Sequence, residues 1–318
     1  MNRLYHAALD WAQDRLLRRV LRNSGYLFAS NAISALMVIL TTHLLGVASF
    51  GELGIITVFV SSINRLLSFR MGDLVVRYMG EFMARKEYDR AAALVKAAGM
   101  VEGLTSLVAY GVLFALAPLG ARWFIKDPAL IPQAISLMWF YGFSILGNIT
   151  NETATGVLQV TNHYRSQALI NLAQVFLVAG IITYAYFAKA GLPMVVTAYL
   201  TGKLVLGLGP VVVALYHLKR IFGGAWWRAS FDLLPPRREL LHFAISTNLS
   251  GTINLVVRDS EELWLGLFFS TREAGYYKTA KALINFIVMP ITPFVSTTYP
   301  ELNTVIVRHE WQRLRRLL

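Results

Sequence analysis

Eight blocks of about 20 mostly apolar residues dominate this sequence, and that is the length a helix needs to cross a hydrocarbon core about 30 Å thick. Their approximate bounds are 25–46, 52–72, 97–118, 133–160, 166–188, 193–216, 241–267 and 276–300. The blocks predict an all-α, polytopic helical membrane protein with about eight transmembrane helices. A soluble all-α protein with buried helices is the competing architecture, and composition decides against it. Charged residues make up only 15% of the chain, where a soluble domain carries about 25%. Hydrophobic residues make up 56%, and mean hydropathy is +0.51.

The formal net charge of +12 would point to nucleic acid in a soluble protein. Here the basic residues fall between the apolar blocks, so membrane topology explains them and no nucleic-acid partner is expected. Arginines 3, 15, 18, 19 and 22 precede the first block, and the connection after the second holds Arg70, Arg77, Arg85, Lys86, Arg90 and Lys96. Arg165 follows the fourth block, and basic clusters at 219–238 and 308–316 follow the sixth and eighth. The odd-numbered connections carry only Arg122, Lys126, Lys189 and Arg272, with Lys278 and Lys281 at a span entrance. Positive charge collects on the cytosolic side, so the N-terminus is expected in the cytosol. The chain has no cysteine, which excludes disulfides, thiolate metal sites and a cysteine nucleophile. Nothing resembles a cleavable signal peptide, because the first block is long enough to span and follows a long basic segment.

Residues 4–21 repeat Leu4, Ala8, Trp11 or Ala12, Leu16 and Val20 at helical spacing, with arginines on other faces. An interfacial helix drawn to anionic headgroups and a plain cytosolic leader helix both fit this pattern.

The second half echoes the first. Ser30-Asn31-Ala32-Ile33-Ser34 corresponds to Thr247-Asn248-Leu249-Ser250-Gly251, and Leu45-Gly46 with Phe50-Gly51 to Leu265-Gly266 with Ala274-Gly275. Ile63-Asn64 corresponds to Ile284-Asn285, and the basic run at 85–90 to that at 308–313. The matches share nearly one offset, about 220 residues or six spans, as in a parallel duplication about an axis along the membrane normal. The expected organisation is a cytosolic amphipathic leader at 1–23, a six-helix lobe with its connecting cytosolic loop at 24–238, and the first two helices of a second lobe at 239–318. On that reading a complete protein continues with spans nine to twelve or more.

These motifs carry a family resemblance. An Asn-bearing first span, then Leu-Leu-Gly-x4-Gly-x-Leu-Gly (Leu44 to Gly54) and Met71-Gly72-Asp73, resembles the start of prokaryotic polysaccharide flippases. These are the Wzx-type members of the multidrug/oligosaccharidyl-lipid/polysaccharide exporter superfamily. Glu261-Glu262-Leu263-Trp264-Leu265-Gly266, then Glu273 to Ala280, is similar to that family's signature at spans seven and eight, and Tyr299-Pro300 closes span eight. The sequence has Glu261 where the family more usually has Asp, and it lacks the remaining spans of a fold of twelve to fourteen.

The resemblance implies a non-enzymatic transporter in the inner membrane of a prokaryote. Two lobes rock about a central cavity that admits a saccharide-pyrophosphate head, while the polyprenyl tail stays in the bilayer. The implied partners are membrane lipid, a lipid-linked oligosaccharide and polysaccharide assembly machinery. No cofactor is implied beyond a coupling ion, H+ or Na+.

A charge at the bilayer centre costs at least about 2.5–3.5 kcal/mol on insertion scales, so each one asks for a reason. A flippase has one, because Arg or Lys can replace the hydration of a pyrophosphate. Lys203 lies near the midplane of span six, about nine residues or 13 Å from its start. Gly202, Gly207, Gly209 and Pro210 surround it, which predicts a break or kink or, alternatively, close helix packing. Arg65 lies in the inner half of span two beside Asn64, one turn from Ser61 and Ser68, and suits phosphate contact or a structural ion pair. Asn148, Asn151, Glu152, Thr155 and Gln159 fall at helical spacing on one face of span four, where interhelical hydrogen bonds and sugar binding explain the amides equally. Glu152 suits pairing with Arg65 or Lys203, or carrying a proton. Arg258 and Asp259 sit in the outer third of span seven as transport groups or as a mutually neutralising pair. Glu102 and His43 lie near interfaces and receive no role.

A multidrug exporter of the same superfamily would favour an acidic, aromatic pocket over these cations. A peptidoglycan-precursor flippase is chemically almost equivalent. A membrane glycosyltransferase or polymerase usually needs long outer loops with catalytic acids, and the outer connections here are short. A non-transporting fragment is the remaining class.

Overall fold

A computed structural model describes residues 15–69, 71–236 and 260–288, with single positions between 238 and 248. Its regular structure among the described residues is helical. The elements are α1 (Arg15–Leu67), α2 (Gly72–Ala84), α3 (Tyr88–Phe124), α4 (Ile131–Gly147) and α5 (Asn151–Val160). They are followed by α6 (Tyr164–Phe187), α7 (Leu192–Phe222), two 3-10 turns (Trp226–Arg228 and Phe231–Leu233), α8 (Glu261–Phe268) and α9 (Thr271–Val288). The chain divides into two compact units, residues 1–38 with 280–318 and residues 39–279. In the first, the Ser34 hydroxyl donates to the Ser30 carbonyl at 2.8 Å.

The protein is an all-α, polytopic membrane protein. Large apolar side chains face outward, including Leu104 (66% exposed), Phe176 (61%), Phe187 (79%) and Val212 (66%). Side chains of this kind, exposed in number along long apolar helices, face lipid.

Among the described residues, four apolar helices are long enough to span: Ala32–Leu67, Tyr88–Phe124, Tyr164–Phe187 and Leu192–Phe222. This corrects the expectation of about eight separate spans, and for the first, second and fourth blocks the difference has a local cause. The first two blocks meet without a loop inside α1, where Gly46 bends the chain at φ 73 and ψ 166. That conformation is open essentially to glycine alone. The fourth block is interrupted, ending as α4 at Gly147 and resuming as α5 at Asn151. The seventh and eighth blocks are described only at 260–267 and 276–288, with a few single positions before them. Residues 1–14, most of 247–251 and the basic run at 308–313 also lie outside the described residues, and with them most of the leader and the first and last second-copy segments of the repeat.

Helix α7 is the central post, packing on α4, α5 and α6, while α2 packs on α3 and α5. The glycines flanking Lys203 serve this packing. A Cβ at Gly207 would lie 2.2 Å from the Gly147 carbonyl oxygen of α4, and one at Gly202 would lie 2.5 Å from Val178 of α6. The chain remains helical through Pro210, so the helix does not break around Lys203. Small residues here bring backbones together rather than break a helix.

At the basic end, Leu74, Val75, Met79 and Phe82 of α2 form a core with Leu94, Val157, Leu158 and Leu218. The segment after α7 is strapped onto that end. Lys96 Nζ donates to the Ala229 carbonyl at 2.9 Å and sits 4.0 Å from the centre of the Phe231 ring. Arg90 Nε donates to the Leu233 carbonyl at 3.1 Å.

The opposite end is sealed by glycine. A Cβ at Gly51 would lie 1.8 Å from the Thr271 carbonyl oxygen, and one at Gly275 would lie 2.0 Å from that of Val47. The backbones of α1 and α9 therefore touch directly. One turn along α1, Gly54 leaves room for a buried ion pair, Lys278 Nζ to Glu262 Oε2 at 3.6 Å.

Candidate functional site

Two helix interruptions lie side by side against α3. The first, at residues 68–71, separates α1 from α2; the second, at 148–150, separates α4 from α5. Backbone groups freed by an interruption in lipid need partners from the protein. Helix α3 supplies them at both places. The Phe69 N–H donates to Thr105 Oγ1 at 3.2 Å. One turn earlier, Glu102 accepts from the N–H groups of Glu152 and Thr153, each at 2.9 Å, and from Thr153 Oγ1 at 2.7 Å. Both glutamate oxygens are used, and the residue is 2% exposed.

A helix N-terminus leaves its first backbone donors without intrahelical acceptors. In α5 the adjacent Thr150 makes no side-chain cap. Instead the Asn151 N–H donates to the Asn148 carbonyl at 3.1 Å, and Glu102 takes the next two donors. The cap of α5 thus comes from a helix 50 residues earlier in the chain. On the other side of the gap, the Asn148 amide donates to the Ser144 carbonyl at 2.9 Å.

Between these interruptions lies a cavity of about 290 Å³. Arg65, Asn64, Asn151, Glu152 and Lys203 all line it, together with Ser61, Ser68, Glu102, Ser106, Ser144 and Asn148. Arg65 and Lys203 are exposed to its interior and repel each other electrostatically. The hydroxyl of Ser68 donates to Asn64 Oδ1 at 2.7 Å and lies 3.4 Å from Ser106 Oγ. Asn151 Oδ1 is buried and, among the described residues, has no hydrogen-bond partner. Two cations beside hydroxyls and amides can take up an anionic, hydroxylated head by charge-assisted and neutral hydrogen bonds.

The structure thus gathers five of the seven sequence candidates at one place. Arg258 and Asp259 lie outside the described residues. The single polar face expected along span four is cut at 148–150, so Thr155 and Gln159 do not line the cavity. In the sequence Glu102 reads as interfacial, because it is an acid near a block's end. Its position five residues inside an apolar block was the available signal. Among the described residues, no group of three or more His, Asp or Glu is placed to hold a metal ion.

Long apolar helices around a cation-bearing cavity make the build of a membrane transporter. The family described as Polysaccharide biosynthesis protein matches residues 40–307, and the chain belongs to it, within the Wzx-type polysaccharide-transport group of the exporter superfamily. A similar protein is "Inner membrane protein YghQ" of Escherichia coli (strain K12), 23% identical over 314 residues, covering 92% of this chain and 82% of that one. No solved structure matches the chain.

Proposed function

We propose that this protein moves a polyprenyl-pyrophosphate-linked saccharide from the cytoplasmic to the outer leaflet of the inner membrane by alternating access. The observation that carries this reading is Arg65 and Lys203 in one polar cavity, inside helices whose outer faces are apolar. Cations there offset the loss of hydration when a pyrophosphate leaves water. A volume of about 290 Å³ is near the lower bound of small-molecule sites, so it suits the carrier's polar head with its first sugar. The polyprenyl chain stays in lipid. Charge asymmetry supports a cytosolic N-terminus and a cytosolic basic end, and on that orientation the cavity receives its cargo from the basic side. The repeat supports a first lobe of six spans and the beginning of a second, and H+ or Na+ is the candidate coupling ion.

The test is complementation of a flippase-deficient strain with the complete gene, followed by Lys203→Ala, Arg65→Ala and the double variant. Expected is wild-type rescue, a loss of surface polysaccharide of tenfold or more (about 1.4 kcal/mol in transport barrier) in each single variant, and abolition in the double. Unchanged polysaccharide in all three variants would overturn the site. Failure of the complete wild-type gene in its native host would overturn the function.

A further inference from the structure

A buried carboxylate with both oxygens hydrogen-bonded stands beside the two cations of the cavity. Glu102 sits mid-bundle, 2% exposed, and spends both carboxylate oxygens on three donors from the first turn of α5. Its position in α3 is also tied to the other interruption. The Glu102 carbonyl accepts from Thr105 Oγ1 at 3.1 Å, and that same hydroxyl oxygen receives the Phe69 N–H. The next turn brings Ser106 within 3.4 Å of Ser68. One face of α3 therefore supports the ends of both interrupted segments.

Apart from Glu102, the gap at 148–150 is held by its own turn hydrogen bonds, such as Ile149 N–H to the Leu146 carbonyl at 3.3 Å, and by the close approach of Gly207 on α7. Isolated helices of ten residues are marginal, and α5 lacks a side-chain cap of its own. Its packing on α2 is tight. A Cβ at Gly156 would lie 2.9 Å from the Gly72 carbonyl oxygen, and one at Gly72 would lie 3.0 Å from Glu152 Oε2. That packing sets the distance between α2 and α5. The carboxylate of Glu102 sets where α5 begins, and with it where Asn148, Asn151 and Glu152 face the cavity.

We infer that Glu102 is a positioning residue, a clamp from α3 that holds the interruption of the fourth span closed and so shapes the polar wall of the cavity. Release of the clamp frees three donors at once and lets residues 148–151 open as a local unit while the surrounding bundle stays folded. The inference stands on the hydrogen-bond geometry. Only its consequence for transport rests on the flippase reading.

The absence of native cysteine makes a direct test available. The full chain carrying Ile149→Cys or Thr150→Cys is reconstituted in nanodiscs, and labelling by a water-soluble maleimide is timed. Glu102→Gln keeps the shape but turns an amide N–H toward one of the donors, and Thr153→Val removes the hydroxyl donor. Labelling is expected to accelerate by about tenfold in Glu102→Gln and by a smaller factor in Thr153→Val. Leu113→Ala, a fully buried change elsewhere in α3, lowers the melting temperature and leaves labelling at the wild-type rate. Unchanged labelling in both Glu102→Gln and Thr153→Val overturns the inference, as does equal acceleration by Leu113→Ala. Because Thr153→Val leaves the carboxylate in place, a failure of Glu102→Gln to fold still leaves the hydroxyl arm decisive. If labelling responds while the complete wild-type gene fails to complement, the clamp stands and the flippase reading falls.

Discussion

The two ends of α1's second half face opposite demands. Near Gly51 the helix meets α9 backbone to backbone, with no volume for even a methyl group. Near Arg65 the same helix borders a polar cavity of about 290 Å³ whose charges are accessible. The first region is held by contact and the second by hydrogen bonds around space. Tightly packed interfaces have few arrangements available to them, whereas polar walls with interrupted helices can reorganise locally. The difference separates residues that hold two backbones together from residues that line a polar space.

The largest effect is expected where no relaxation is available. Gly51→Leu forces the backbones of α1 and α9 apart and should destabilise by about 3 kcal/mol or more. Gly111→Ala is its control, because nothing lies within 4 Å of the added Cβ. Thermal unfolding in detergent, followed by tryptophan fluorescence, reads both. A melting temperature for Gly51→Leu equal to that of Gly111→Ala would erase the contrast.

Next comes the buried pair beside the seam. Lys278→Ala leaves Glu262, only 8% exposed, without its cation. The expected cost is about 3 kcal/mol, because an uncompensated buried charge is worse than no pair. The double variant Lys278→Met with Glu262→Gln should recover most of the loss. No recovery in the double variant would show that the two side chains act independently.

The smallest effect belongs to the cavity wall. Ser68→Ala removes the hydroxyl that donates to Asn64 and should cost about 1 kcal/mol or less, with water free to replace it. A loss as large as that of Gly51→Leu would mean the cavity is braced as rigidly as the seam.

The elements most legible in the sequence were those whose physics is contained in one continuous stretch. Blocks 166–188 and 193–216 became α6 (Tyr164–Phe187) and α7 (Leu192–Phe222), because an apolar run of sufficient length has little choice. The meeting of Arg65 with Lys203 was foreshadowed by cost alone, since each intramembrane charge needed somewhere to face. The gap in span four was hidden, because Asn148, Asn151 and Glu152 recur at spacings that an unbroken helix also produces. The role of Glu102 depends on donors 50 residues away, and no local pattern carries that information. Gly202, Gly207 and Gly209 show the ambiguity of small residues. The same letters permit a kink or a close approach, and only the neighbours Val178, Gly147 and Ile170 decide.

Gly46 has a mechanical consequence. Beyond its bend, one uninterrupted helix carries Gly51 near one end and Arg65 near the other. At about 1.5 Å per residue, Arg65 lies roughly 28 Å from Gly46, so a tilt of about 5° there would displace the guanidinium's anchor by about 2.5 Å. Gly51, roughly 8 Å from the same point, would move by less than about 1 Å. The arrangement has the proportions of a lever, with a short arm at the seam and a long arm in the cavity, so holding Gly51 to within a fraction of an ångström is what would hold the cation in register.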